Sequence, residues 1–183
     1  MNAELSNYTN DLEAIAAEAH EKFGSLKNEQ LNWKPAANSW SVGQCFDHLT
    51  RSNIEMEPVM KLVTGTRRMN FWEKMSPFSG MLGRFLVSSM MKDERKFKAP
   101  SKSIVPPSDV PADVVAKFVE QQAGVIDTIK AADKFDWKKT RVSSPFMSLI
   151  TYSLNDAFKI VVEHEKRHLR QAGRVMQMEG FPE

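Results

Sequence analysis

The sequence predicts an all-α fold, a four-helix bundle. Two observations lead to it. Apolar residues recur at spacings of three, four and seven along four long segments, and the ends of those segments carry helix start and stop residues. A third observation is negative: no stretch of useful length alternates with the period of a strand, and no internal repeat is visible. The 183 residues suit one domain, 1–183, with a sizeable core.

The first helix is expected over about residues 3 to 29. Leu5, Tyr8, Leu12, Ile15, Ala19 and Leu26 form its apolar stripe, with Phe23 beside them. A turn at Asn32 to Asn38 follows. The second helix begins at Ser41, where Ser41 and Gln44 read as a capping box. Trp40 and Cys45 sit at hydrophobic-staple spacing. Val42, Cys45, Leu49, Met56 and Val63 make the stripe, and Pro58 should kink or interrupt it. This helix fades near Gly65. The third helix should run from about Asp109 to Ala132, with Pro111 in its first turn. Its stripe is Val114, Val115, Phe118, Val125, Ile126 and Ile129. The fourth should run from about Ser153 to Glu179, ended by Gly180 and Pro182.

About forty residues separate the second and third helices, more than a tight hairpin needs. The segment holds an amphipathic stretch, Met81 to Met91, then Pro100, Pro106 and Pro107. A connection that long can return to the same end of the bundle and let the two helices run parallel. The third connection, about 133 to 152, carries Trp137 and Pro145.

The fourth helix is the informative one. Its seam reads Leu154, Ala157, Val161, His164, His168, Ala172 and Val175. Two histidines thus stand where core residues belong, and an unpartnered buried imidazole is costly. Residues at i and i+4 share one helix face, so both rings can reach one metal ion at about 2.0–2.1 Å. The simpler reading is two separately hydrogen-bonded core histidines. A metal would need a ligand from elsewhere, and the chain has four histidines. His20 lies one residue past the seam residue Ala19 and reads as exposed. His48 borders the stripe of the second helix and can lean toward the bundle axis. Taken alone it would more often be a boundary histidine. Three neutral imidazoles with an open position are the pattern of a catalytic metal rather than a closed structural one. Such ligands suit zinc, nickel, copper or iron, with zinc and nickel favoured.

His164-Glu165-Lys166-Arg167-His168 also spells the zinc-protease string H-E-x-x-H. That reading fails on its third ligand. Gln171 and Arg174 stand where the extended motif has Gly and His. Glu179, the best downstream carboxylate, is about 16 Å away along a continuous helix. Glu165 is a candidate base beside a metal-bound water, against the plainer reading of a solvated residue next to Lys166. Cys45 is a possible soft fourth ligand; a small buried core cysteine is the better account. Met56 and Met60 are candidates for lining a pocket. Trp33 and Trp40 are expected to pack the interhelix turn against the bundle end.

Trp33-x-Pro35, Trp40-Ser41, His48-Leu49 and His164-x-x-x-His168-x-x-Gln171, in this order, resemble the DinB/YfiT-like superfamily of metalloenzymes over most of the chain. The resemblance implies an up-down-down-up four-helix bundle with a metal near one end. The metal's ligands, carried over residue by residue, are His48, His164 and His168. It also implies homodimers, and thiol-dependent S-transferases or isomerases that use bacillithiol, mycothiol or glutathione. Leu169-Arg170 before Gln171, where a small residue is often found, and the long crossover depart from the common pattern, so substrate does not carry over.

Two functional expectations follow. One is a metal-dependent enzyme acting on a small-molecule thiol or electrophile, with metal-dependent hydrolysis ranked behind thiol transfer. The other is a non-catalytic, stress-related metal- or ligand-binding bundle. Lys plus Arg is 25 against 23 acids, a net charge of +2, which gives no basic footprint for nucleic acid. The run Lys92 to Lys96 reads as a solvated face. The single cysteine allows no intramolecular disulfide, the first residues do not form a signal peptide, and no apolar run reaches membrane-span length. A cytoplasmic protein without membrane partners is the expectation.

Overall fold

A computed structural model describes residues 1–91 and 101–183. The charged run 92 to 96 and Pro100 lie outside the described residues. Helix α1 spans Ala3–Phe23, its first turn capped by the Asn2 side chain, which accepts the Glu4 amide at 2.9 Å. It stops six residues short of the expected end. Gly24 and Ser25 are weak helix formers, and the Gly24 amide closes the last turn on the His20 carbonyl at 3.0 Å. A new short helix α2, Asn28–Asn32, then begins with the Gln30 side chain accepting the Lys27 amide.

Helix α3, Val42–Glu55, starts at the expected capping box. The Gln44 amide donates to Ser41 Oγ and the Ser41 amide to Gln44 Oε1, both at 3.1 Å. Ser41 is fully buried, so water cannot replace a lost partner. Ser41→Ala is expected to destabilise the protein by about 1 kcal/mol or somewhat more, read as a lower urea midpoint at unchanged m-value. An unchanged midpoint would mean the cap does not stabilise α3.

The helix breaks at Met56, and α4 runs Glu57–Val63 with Pro58 in its first turn, where a missing amide costs nothing. Gly65, at φ +78°, turns the chain away. The crossover that follows contains α5, Phe71–Met75, and α6, Ser79–Met90. Helix α6 contains most of the expected amphipathic stretch and packs on α8, Leu154–Met176. Gly83 makes the approach possible: a Cβ there would collide with the Asp156 carboxylate. Glu73 of α5 is buried and accepts two hydrogen bonds from Arg67, at 2.8 and 2.9 Å, and one from the Ser143 amide. Burial alone would raise its pKa, but Arg67 and the backbone amides outweigh it and hold the carboxyl below its usual range. The crossover is thereby tied to Ser143 in the third connection.

After a 3-10 turn at Lys102–Ile104, which lies against α3, helix α7 spans Val114–Ala131. Its start is five residues later than expected. Asn32 explains this, accepting from the Val110 amide at 2.8 Å and donating to the Val110 carbonyl at 3.0 Å. Those tertiary bonds hold residue 110 out of the helix. Pro111 therefore precedes α7 rather than sitting in its first turn.

The third connection carries a small antiparallel pair, β1 Arg141–Ser143 and β2 Thr151–Ser153, with Val142 opposite Tyr152. Three residues per strand are too few to leave an alternation signal. Ser153 then caps α8, accepting the Asp156 amide at 3.0 Å. Helix α8 ends at Met176, so Glu179 lies past it, and Gly180 at φ +83° turns the last residues back toward α2. There the Gln30 side chain donates to the Pro182 carbonyl, and Trp33 meets Phe181 edge-on at 5.6 Å.

The architecture of the described residues is predominantly helical. The four longest helices pack with α1 and α3 each against both α7 and α8. Phe46 of α3 is fully buried in the core, with Phe23 at 5.1 Å and Phe118 at 5.4 Å between ring centroids. No helix of the described residues is long and apolar enough to cross a membrane.

Candidate metal centre

His48 comes from the middle of α3, and His164 and His168 from successive turns of α8, which packs against it. The seam spacing turns both α8 imidazoles toward α3. The result is one cluster, with candidate ligand atoms all within 4.8 Å of one another. Ring centroids are 4.7 to 5.0 Å apart, and His48 Nε2 lies 3.1 Å from His164 Nε2. His48 and His168 are buried and His164 is half-buried.

The tautomer of His48 follows from its other nitrogen. Nδ1 lies 2.7 Å from the Ile104 carbonyl, which can only accept, so Nδ1 carries the proton. In the neutral ring Nε2 then offers a lone pair toward His164. A carbonyl behind the ring is the usual outer support of a metal-ligating histidine.

Burial is the first cause holding all three rings neutral. It lowers His48, with the Ile104 carbonyl opposing. It lowers His164 to about 3, aided by His48 and Arg167. It takes His168 well below the ordinary value, again with its neighbours' charge adding. Neutral imidazole is the form that binds a metal.

These residues fit a divalent ion. Two nitrogens bound at 2.0–2.1 Å around a tetrahedral ion would be about 3.3 Å apart, close to the 3.1 Å between His48 and His164. His168 Nδ1 is buried with no hydrogen-bond partner, a cost that a native fold seldom leaves uncompensated. All three ligand candidates from the sequence are therefore brought together, while His20 is exposed on α1 as expected.

A family model described as the DinB superfamily matches residues 11–172. The chain belongs to the DinB superfamily. No curated protein and no solved structure gave a match. Within this DinB-superfamily chain the buried histidine triad can hold a metal ion.

Three features correct or extend the sequence reading. Glu165 is not a solvated residue beside Lys166; it is fully buried. Its Oε1 accepts from Asn53 at 2.8 Å and from Gln122 at 3.2 Å, while Oε2 has no partner. Burial drives its pKa up to about 7 against those two amides. The signal was present: Phe158, Val162, Glu165, Leu169 and Ala172 follow a four-three spacing, a second apolar stripe beside the histidine seam. Gln122 was equally visible, lying four residues from both Phe118 and Ile126 on the stripe of α7.

Trp40 does more than pack a turn. Its ring stacks on His168 at 5.6 Å and 24°, and lies 4.8 Å from His48. It forms an apolar wall against two of the imidazoles. Cys45 stands outside the cluster, buried in the core, with its thiol pushed up to about 12 by burial despite Arg174. Met56 and Met60 do line a small cavity, about 30 Å³ in volume, between α3, α4, α7 and α8.

Proposed function

We propose that this chain is a metal-dependent enzyme of the thiol S-transferase type. In it His48, His164 and His168 hold a divalent cation, zinc or nickel before iron or copper. A cation bound by three neutral ligands keeps its full charge and lowers the pKa of a thiol or water placed beside it. The observation that carries the reading is the convergence of three neutral imidazoles from two helices, with His48 oriented by the Ile104 carbonyl. Trp40 excludes water from one side of the His48 and His168 rings. The family resemblance favours thiol transfer over hydrolysis. It also supports an up-down-down-up bundle and a homodimer; a single domain and a cytoplasmic setting are proposed beside it, on chain length and on the short, charge-interrupted apolar runs.

The overall reaction is a substitution: the thiolate sulfur forms a bond to an electrophilic carbon, the leaving group departs with its bonding pair, and the thiol proton passes to solvent or a base. Glu165 is a weaker candidate for that base, because its carboxyl is engaged by Asn53 and Gln122. That engagement keeps a second reading open, a metal-binding bundle without turnover.

The test uses the full chain without a His tag, loaded separately with zinc and with nickel, beside His164→Ala. Elemental analysis should find about one metal per chain in the parent and far less in the variant. Each loaded form is then incubated with glutathione, bacillithiol or mycothiol and an aryl chloride. Thioether formation that requires the metal and is lost in His164→Ala supports the enzyme. Stoichiometric metal with no product from any pairing leaves the non-catalytic binder, and equal metal in both proteins removes the site.

A further inference from the structure

A sizeable cavity lies away from the histidine cluster. It is a pocket of about 770 Å³ formed by the start of α1, the inner face of α6, the approach to β1 and the first two turns of α8. That volume is in the range of small-molecule sites. None of its lining residues is a member of the triad. Asp156 on its wall precedes His164 by eight residues, about 12 Å along α8.

The lining is strongly cationic. Among the described lining residues, Arg84, Lys138, Lys139, Arg141 and Lys159 stand beside two carboxylates, Glu4 and Asp156, and Lys139 also pairs with Asp136 at 3.1 Å. The chain as a whole carries a net charge of only +2, so positive charge is concentrated here. Both carboxylates are also engaged. Glu4 pairs with Lys138 at 2.8 Å, and Asp156 accepts the Ser153 hydroxyl at 2.8 Å. Arg84 and Lys159 have no acidic partner among the described residues. A concave surface lined by one sign of charge focuses its field and raises the local concentration of the opposite ion.

The pocket is also held in shape. Arg141 donates through Nη1 to the Lys74 and Ser76 carbonyls at 3.2 and 2.8 Å, which fixes its guanidinium at the rim. The Tyr8 hydroxyl donates to Asn155 at 2.9 Å across the α1–α8 junction. Gly83 lets α6 approach Asp156 of α8, one of the lining residues. Val87 and Met91 add an apolar strip to the wall.

We propose that this pocket is a second ligand site, for a small organic anion: a carboxylate or phosphate monoester on a short apolar body. The charged end meets Arg84 and Lys159, and the apolar body lies along Val87 and Met91. The site is independent of the metal centre and does not rest on the enzyme reading.

Calorimetric titration of the full chain at low salt tests this, with phenyl phosphate, benzoate and inorganic phosphate as probes and benzyl alcohol as the neutral control. Phenyl phosphate or benzoate is expected to bind saturably at one per chain, more tightly than benzyl alcohol. The double variant Arg84→Met/Lys159→Met, with its fold checked by circular dichroism, should weaken binding at least tenfold. A control double variant, Lys22→Ala/Lys61→Ala, removes exposed cations elsewhere and should leave affinity unchanged. His164→Ala should also bind the probes as the parent does, whether or not it holds metal. The proposal is overturned by the absence of saturable binding, by equal weakening in the control variant, by unchanged affinity in the Arg84/Lys159 variant, or by loss of binding in His164→Ala. Should the methionine pair fail to fold, Arg84→Gln alone, which keeps a polar side chain but removes the charge, must still weaken the phenyl phosphate affinity; unchanged affinity there overturns the proposal as well.

Discussion

Replacing His168 with alanine is expected to lower zinc affinity by about two orders of magnitude or more while the helical fold persists. Zinc bound by four ligands gains roughly 10–16 kcal/mol, about 3 kcal/mol per ligand, and 1.4 kcal/mol is a factor of ten. The substitution also removes the buried, unpartnered Nδ1, which stabilises nothing in the metal-free protein. Affinity and stability should therefore separate: zinc binding falls by orders of magnitude, while the metal-free variant folds with only the moderate loss in urea midpoint expected from removing a buried ring stacked on Trp40. Competition against a chromophoric chelator measures the first and urea unfolding in EDTA the second. Zinc affinity within threefold of the parent would mean His168 is a core histidine and not a ligand. Acid should weaken the parent in parallel. The folded-state pKa values of all three rings lie below the ordinary 6.5, so the unfolded chain binds more protons below that value. The stability and metal retention present above pH 6.5 are then lost as pH falls toward the folded-state values.

Glu165→Gln should make the metal-free protein more stable at pH 8, and nearly unchanged in stability at pH 5. The folded-state pKa of Glu165 is raised from 4.5 to about 7. Its contribution is thus fully present below about pH 4.5 and is lost as pH rises through 7. The shift corresponds to roughly 3 kcal/mol at most, as an order of magnitude. Glutamine keeps an oxygen for Asn53 and Gln122 and cannot ionise. Its amide also supplies a donor near the Gln122 oxygen, which has no partner of its own. Urea unfolding of both proteins in EDTA at pH 5 and pH 8 decides the matter. A stability difference that is the same at both pH values would show that Glu165 does not titrate in the folded chain.

The positions of the four long helices were legible because each has a periodic stripe and a local cap. Ser41 with Gln44 marked the start of α3 correctly, since a capping box is closed by residues three apart. Where tertiary bonds decided a boundary, the sequence misled. The start of α7 is set by Asn32, which lies 78 residues away from Val110, and no local window contains that information. The histidine triad was legible in part: the seam placed His164 and His168, but only the packing of α3 on α8 brings His48 to them. Glu165 and Gln122 are hard to place from sequence because each is a polar residue on an apolar stripe. Their burial becomes intelligible only when they are seen with Asn53. Helix α5 and the β1–β2 pair are too short to leave a periodic signal.

His48 and His164 touch across 116 residues of chain. Closing so long a loop carries an entropic cost that is met only when the intervening helices have docked. Imidazole convergence is therefore expected late in folding, and before it a metal would meet only the His164–His168 pair. Refolding started with zinc already present should show the ion captured in the final kinetic phase rather than guiding the earlier ones.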